Sequence, residues 1–403
     1  MNADKNVPYS IEDIDESWLT GMLKQDGVLT QGEVTGLDIK LIGEETGFLG
    51  QVAVLTPTYS EPISAPSSLI LKIPIASKNR IMGQSMGVYE REIRFYTELK
   101  HQLSVKSPAY YGSALNAFDD PEVVSNRLRA LARLPILIIA LLALLVRFVF
   151  GLMPRRYVLL IEDVSHLQLG DQQSGCNPDE IQWALNAMAK LHAPYWHSEK
   201  AERNIPWIAA LGYSAKLIHM MYLQSAGAYE KEAFPQLSER QRRLFKWVGE
   251  HGAGITEVLG EQPRTLLHGD FRLDNICFDL DHSEALLFDW QTMTFGSAGL
   301  ELAYFLSSAL SADDKEETVV SLINHYHEAL AHEGVEVSAA YLRWSYELGM
   351  LATLHRIAPI LHQPQLDLGS QRGPQTMQRW VDCIYRRLED VEFEGILGRR
   401  PEP

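Results

Sequence analysis

The sequence predicts an α+β protein of two lobes, a mixed β-sheet lobe followed by a mostly helical one. Three observations predict it. Short apolar runs rich in β-branched residues occur before residue 165, at 52–55, 69–73 and 157–161. Segments with helical apolar spacing and cap residues fill most of the chain after residue 176. Among those segments lies one polar stretch with apolar framing, Leu266-Leu267-His268-Gly269-Asp270-Phe271-Arg272-Leu273-Asp274-Asn275.

A chain of 403 residues is long enough for a large core in two lobes. Its formal charge of −16 argues against a nonspecific nucleic-acid binder, which needs a basic footprint. The three cysteines, Cys176, Cys277 and Cys383, are far apart and odd in number, so neither a disulfide framework nor a zinc site is expected. The start, Met1-Asn2-Ala3-Asp4-Lys5, is polar with no apolar leader, which predicts a cytoplasmic protein.

Residues 1–34 read as an N-terminal arm, with a short helix near 17–23. The sheet lobe spans 35–161, with a first strand at 35–41. The stretch Gly43-Glu44-Glu45-Thr46-Gly47-Phe48-Leu49-Gly50 then leads into Val52-Ala53-Val54-Leu55. A glycine-bearing turn between strands brings backbone N–H groups against phosphates, which makes Gly47 and Gly50 candidates to cover a nucleotide. Taken alone the stretch reads as an ordinary hairpin turn, because no P-loop or dinucleotide fingerprint is complete here, but the motifs downstream favour the nucleotide-covering role.

Ser68-Leu69-Ile70-Leu71-Lys72-Ile73 reads as a strand with one lysine inside it. Lys72 there needs an anion or a carboxylate partner, unless it snorkels from an edge. A helix is expected over 85–103. It carries Glu90 and Glu92 on different faces, and the apolar spacing does not choose between them. Strands follow at 108–112 and 157–164.

Between those strands runs an insertion near 127–153, nearly unbroken in apolar residues from Leu134 to Met153, with Arg127, Arg129, Arg133, Arg155 and Arg156 around it. Arg147 interrupts it, and a true span would separate the halves of one lobe across a bilayer. Three roles remain: a shallow dip into one leaflet, a wall for a greasy substrate, or burial against its own lobe or a second subunit. The partners expected through 134–153 are therefore a membrane surface, with the protein peripheral to its inner face, or a dimer contact.

Residues 162–403 form the hinge and the helical lobe. Asn177-Pro178-Asp179-Glu180 is a helix start, with Asn as cap, Pro at the first helical position and Glu closing a capping box. This helix ends at His192, read as a structural histidine. Further helices are expected at 211–228, 238–259, 317–333, 339–361 and 376–394. Within this lobe Asp270 can accept a proton, Asn275 can coordinate a metal, and a second acid, Asp289, closes the strand Leu286-Leu287-Phe288. These are the groups phosphoryl transfer needs.

The order His268-Gly269-Asp270, Asn275, then Asp289-Trp290 resembles the kinase-like small-molecule phosphotransferases, the group that holds the aminoglycoside, choline and ecdysteroid kinases. Asp289-Trp290-Gln291 and Leu302-Ala303-Tyr304-Phe305-Leu306 resemble its choline and ecdysteroid kinase-like branch. The resemblance covers roughly 40–115 and 155–310, and it implies a protein-kinase-like fold. It implies that Lys72 and Glu92 hold the α- and β-phosphates of ATP, and that backbone groups from Glu162 to Val164 bond the adenine. Asp270 would accept the proton of a hydroxyl, Asn275 and Asp289 would hold Mg2+, His268 would buttress the loop and Arg272 would screen charge.

Family members often have Asp where this chain has Glu301, which puts a detail of packing in doubt. No Ala-Pro-Glu segment follows Asp289, which weighs against a protein substrate. The expected acceptor is a hydroxyl of a small molecule. Choline-like and aminoglycoside acceptors fit the acids and aromatics, and the apolar insertion leans towards a lipophilic alcohol. The non-enzymatic alternative is a nucleotide-binding pseudokinase or interaction scaffold.

Overall fold

The computed structural model describes residues 7–42, 50–62, 64–74, 83–84, 87–116, 121–152, 156–261, 263–362 and 372–403. In the N-lobe the strands are β1 (Val34–Ile42), β2 (Gly50–Tyr59), β3 (Leu69–Pro74), β4 (Tyr110–Leu115) and β5 (Tyr157–Glu162). They form one sheet in the order β1-β2-β3-β5-β4, and each pairing is antiparallel. Side chains alternate across it as strand geometry requires. Tyr157, Leu159 and Ile161 join the core shared with the helical lobe, and Val158 and Leu160 point the other way. Leu69, Leu71 and Ile73 lie on that second face, so Lys72 shares with Ile70 the face towards the helical lobe.

The outer face is where the structure departs from the expected arm. Helix α1 (Glu16–Gln25) starts at Asp15, whose carboxylate accepts the Trp18 N–H at 2.7 Å. Its Leu19, Met22 and Leu23, with Val7, Ile14 and Leu29, pack on Leu55, Leu69, Leu71, Val158 and Leu160. Burial of each such side chain is worth about 1.5–3 kcal/mol. Residues 7–34 are therefore a cover of the sheet, fixed by the i, i+3, i+4 spacing of α1's apolar positions. The helix expected over 85–103 runs as α2 (Val88–Arg94), then a wide turn at Phe95–Leu99 and a tight one at Lys100–Gln102.

Strands β4 and β5 pair directly, from Tyr110↔Ile161 to Leu115↔Tyr157, so the insertion leaves and returns at one end of a hairpin. Its base is closed by two hydrogen bonds. Asn116 N donates to Arg156 O at 3.1 Å, and Arg156 N donates to Asn116 Oδ1 at 2.8 Å. The insertion holds α3 (Pro121–Ala132) and α4 (Ile136–Leu152).

The pair does not sit on the N-lobe alone. Lys216 Nζ of the helical lobe donates to the carbonyls of Ala132 and Leu134 at 2.7 and 2.9 Å. The Arg129 guanidinium lies 5.4 Å over the Tyr213 ring. Ile139 of α4 is buried, but much of the helix is exposed, which removes burial within its own lobe as the role of its outer side. Among the described residues no helix is long and apolar enough to cross a membrane.

The C-lobe begins with β6 (Gln168–Leu169) and α5 (Pro178–His192), where the Asn177 and Glu180 capping box is formed as expected. Then come α6 (Glu199–Asn204), α7 (Ala215–Ala233) and α8 (Glu239–Leu259), the last capped by Ser238. Four short strands follow: β7 (Thr265–Leu267), β8 (Ile276–Asp279), β9 (Glu284–Leu287) and β10 (Thr294–Gly296). They pair as β10-β7 and β6-β8-β9. The chain closes with α9 (Ala298–Ala309), α10 (Glu316–His332), α11 (Ala339–Ile357) and α12 (Arg372–Arg387). Every residue of α9 is buried, as its all-round apolar sequence demands. Helix α12 stops short of the expected residue 394, because Val391, Phe393 and Ile396 turn back into the core.

Candidate active site

The stretch 268–275 is the loop between β7 and β8, and Asp289 follows β9 at the neighbouring strand end. Gly269 shapes this loop. Its φ is +85°, and a Cβ there would lie 2.2 Å from Thr292 O, so only glycine fits without strain. Glu301 at the start of α9 holds the loop from behind. Its Oε1 accepts Gly269 N–H at 2.6 Å, and its Oε2 accepts His268 N–H at 3.1 Å. The same Oε2 lies 2.9 Å from His192 Nε2, while His192 Nδ1 is 2.5 Å from the Tyr326 hydroxyl. His192 is thus a buried structural residue, as its sequence context suggests.

His268 is buried and ties the loop to the strand before Asp289. Its Nε2 donates to Phe288 O at 3.0 Å, while Nδ1 faces Asp270 N–H at 3.4 Å, which assigns the Nε2–H tautomer. Asp270 is the centre of the network. Asn275 Nδ2 donates to its Oδ2 and to its carbonyl, both at 2.9 Å. Arg272 Nε reaches Oδ2 at 3.3 Å, and the Tyr304 hydroxyl donates to Oδ1 at 2.7 Å. Burial opposes the charge on Asp270. Arg272 and then Tyr304 outweigh it, with smaller help from His268 and Asn275, and hold the carboxyl below its ordinary range. Asp274 is occupied elsewhere, accepting from Arg272 Nη1 at 2.7 Å and from Gln172 N at 2.9 Å.

The N-lobe side of the site is built on Lys72. Its Nζ lies 2.6 Å from Glu92 Oε1 and 3.3 Å from Asp289 Oδ1. Burial would discharge the ammonium, but Asp289 and Glu92 overcome it and raise its pKa above the ordinary lysine value. The choice between the two glutamates is settled by geometry. Glu92 points to Lys72, and Glu90 pairs with Arg94 at 2.9 Å.

Asp289 has a left-handed backbone (φ 66°, ψ 62°), a strained conformation of the kind that gathers at functional sites. The next two residues lock it to the N-lobe. Trp290 stacks on Phe95 at 3.9 Å between ring centroids, and Gln291 Nε2 donates to Glu92 Oε2 at 3.0 Å. One hydrogen-bonded set therefore joins Lys72, Glu92 and Asp289, and through the backbone of Phe288, whose N–H donates to Asn275 O at 3.2 Å and whose O accepts from His268 Nε2, it reaches the loop of His268, Asp270, Arg272 and Asn275.

The other expected residues fall as follows. Gly47 lies outside the described residues. Gly50 opens β2, where a Cβ would meet Tyr157 Oη at 3.0 Å and Ile73 O at 3.1 Å, so the visible reason for glycine is sheet packing. Glu162 ends β5. Its carboxylate accepts Ala109 N–H at 2.9 Å, and Val164 O accepts Leu167 N–H at 2.9 Å. Tyr304 is the site residue that the sequence alone did not single out. The i, i+3 spacing from Glu301 puts both on one helix face, and that spacing was the available clue.

The donor set suits a hard cation. Asn275 spends its amide N–H groups on Asp270, which leaves Oδ1 as an acceptor, and Asp289 supplies carboxylate oxygens. Among the described residues no group of three or more His, Cys, Asp or Glu side chains forms a metal cage by itself. Two protein ligands completed by phosphates is the arrangement typical of magnesium.

The sequence model of the Ecdysteroid kinase-like family matches residues 53–337. Macrolide 2'-phosphotransferase type I is similar in structure, with 13% identity, 92% of this chain and 97% of that one covered, and a TM-score of 0.50. Choline kinase from Cryptosporidium parvum Iowa II is similar as well, with 12% identity, coverage of 98% and 95%, and a TM-score of 0.50. At such identities the likeness concerns the fold, the two-lobed kinase-like architecture. A curated relative, acyl-CoA dehydrogenase family member 10 of Mus musculus, is 38% identical over 63 residues, 15% of this chain. The match spans only 5% of that protein's length.

Proposed function

The chain belongs to the ecdysteroid kinase-like family, and on that footing we propose that it transfers the γ-phosphoryl group of ATP to a hydroxyl of a small lipophilic molecule. One observation carries the reading. The buried Lys72–Glu92 pair with Asp289, and the Asp270–Asn275 pair, are carried on two loops tied together at Phe288, next to Asp289, whose N–H donates to Asn275 O and whose O accepts from His268 Nε2. Lys72, held by Glu92, binds the α- and β-phosphates. Glu162 to Val164 supply backbone groups to the base, and Gly47 and Gly50 cover the phosphates. Asn275 and Asp289 would hold Mg2+, which would supply positive charge to neutralise the phosphate oxygens.

The acceptor's place follows from counting. A carboxylate offers about four lone-pair sites. On Asp270 the side chains of Asn275, Arg272 and Tyr304 fill three of them, and the remaining one is on Oδ1. The acceptor hydroxyl donates there. As its oxygen bonds to the γ-phosphorus, the bond to the ADP oxygen breaks and the hydroxyl proton passes to Asp270. Arg272 screens the charge that builds up beside it, and His268 keeps the loop in place.

The test is a panel of choline, aminoglycoside, sterol and long-chain alcohols with radiolabelled ATP and Mg2+. Wild type should label a lipophilic alcohol. Asp270→Asn should bind nucleotide yet transfer about 10²–10⁴-fold more slowly. Nucleotide binding with no transfer to any alcohol would instead favour a scaffold.

The same reading places the enzyme on the cytoplasmic side, peripheral to a membrane from which such an acceptor would be drawn. The support is the exposed apolar side of α4.

A further inference from the structure

Helix α4 has two apolar sides. Ile139 is buried on the side that packs towards α7, and Ile136, Ala140 and Ala143 are half-buried. On the other side Leu137 is 80% exposed, Leu141 68%, Leu144 67% and Phe148 67%, with Ile138 and Leu145 exposed beside them. The spacing 137, 138, 141, 144, 145, 148 is one stripe of a helix, about a third of its circumference. At 1.5 Å per residue, α4 is about 25 Å long. Exposed contiguous apolar surface of this kind marks a contact site.

Charge identifies what the stripe meets. The whole chain is at −16, yet residues 123–161 contain six arginines and no aspartate or glutamate. Arg127, Arg129 and Arg133, on α3 and the turn before α4, are all exposed. An apolar stripe in a segment whose charged residues are all arginines fits the interface of an anionic bilayer, with the leucines among the acyl chains and exposed guanidinium groups available to the lipid phosphates. A second copy of the chain fits less well, because two acid-free, arginine-rich segments would then face each other. The display is fixed, since Lys216 holds the carbonyls of Ala132 and Leu134 and so ties the α3–α4 turn to the C-lobe.

We propose that the outward stripe of α4, with Arg127, Arg129 and Arg133, is an in-plane docking surface for membranes rich in anionic lipid. The proposal deepens the peripheral placement above and rests on it. It does not depend on phosphoryl transfer, so the two readings fail separately.

The test is flotation of the full chain with vesicles of phosphatidylcholine alone and of phosphatidylcholine mixed with phosphatidylserine. The protein should float with the mixed vesicles and release as salt rises. The double variant Leu141→Glu, Leu145→Glu changes exposed positions only, and its unchanged melting temperature is the control for folding. It should lose at least about ten-fold in vesicle binding. The triple variant Arg127→Gln, Arg129→Gln, Arg133→Gln should lose a similar factor on the mixed vesicles only. Absence of flotation on both vesicle types overturns the proposal, as does equal flotation of the leucine variant. A wild-type dimer that light scattering finds converted to monomer by the leucine variant, without flotation, assigns the stripe to a second copy.

Discussion

The hydroxyl of Tyr304 donates to Oδ1 of Asp270 at 2.7 Å, from the centre of a helix buried along its whole length. Burial and the adjacent Asp270 charge push the phenol well above its ordinary pKa, so it remains a donor at any working pH. Its ring is fixed edge-to-face on Trp380, with centroids 4.7 Å apart, and the Arg356 guanidinium lies 5.7 Å over it. Tyr304 therefore sets the rotation of the Asp270 carboxylate and leaves one lone pair of Oδ1 for the acceptor hydroxyl proposed above.

Replacement Tyr304→Phe keeps the ring and removes one hydrogen bond to a charged group, worth about 1.5–3 kcal/mol. Denaturant unfolding should show a loss of that order. Phosphoryl transfer should slow by about ten-fold while nucleotide affinity stays within about two-fold, because only the carboxylate's orientation is released. Titration calorimetry with a nucleotide analogue separates the two effects.

The Lys72–Glu92 pair should behave asymmetrically. Lys72→Met leaves Glu92 buried without its cation, and breaking a buried pair this way costs about 3–5 kcal/mol. Glu92→Gln keeps the shape and removes the charge, and Lys72 still has Asp289 at 3.3 Å, so the loss in melting temperature should be smaller. Both should weaken nucleotide binding. An equal effect of Lys72→Met on acceptor and nucleotide binding would assign the lysine to structure alone.

Glu301 collects the N–H groups of His268 and Gly269 and the ring of His192, so it is the anchor of the loop that carries Asp270. Glu301→Ala strands one buried and one half-buried backbone donor, at a cost of about 1–3 kcal/mol for the buried one. Gly269→Ala should be as damaging by another route, since its Cβ would collide with Thr292 O in a backbone conformation alanine resists. Thermal unfolding should report both. Glu301→Asp, which keeps the carboxylate one methylene shorter, should recover much of the loss.

Acid stability has a definite sign at His355. This residue of α11 is buried, with its ring stacked on Tyr222 at 4.5 Å and its Nε2 3.2 Å from His219 Nδ1. Burial, with His219 and Arg356 as further causes, lowers its pKa to about 3. The unfolded chain takes up this proton near pH 6.5 and the folded one only near 3. Stability from this group is complete above about pH 6.5 and falls as pH drops through the window, by up to about 1.4 kcal/mol per unit. In His355→Gln the slope of melting temperature against pH between 6.5 and 3 should flatten. An unchanged slope would show that the histidine is not the group responsible.

What the sequence made legible, and what it did not, follows from the range of the interactions. The strands of the N-lobe and the Asn177 and Ser238 caps rest on local spacing, and they are found where expected. Glu92 and Glu90 are two residues apart on one short helix, and only the position of Lys72 across the cleft separates them. Tyr304 was hidden for the same reason, because its partner lies thirty-four residues away. The supposed arm became a cover because burial of α1 depends on a sheet face formed later in the chain. The outward stripe of α4 was present in the sequence as apolar residues, but which of them face solvent is decided by the contact with α7.

The closure between Asn116 and Arg156 separates two kinds of inheritance. The backbone groups and the Asn116 side chain that meet there end the β4–β5 hairpin in the same way whether a long excursion or a tight turn lies between them. Loop length itself is thermodynamically cheap, about 0.6 kcal/mol per doubling. Residues 117–155 can therefore change in length at little cost to that closure. On the reading proposed here, membrane docking and phosphoryl transfer lie in severable parts of one chain, and selection can revise the first while the second stays fixed.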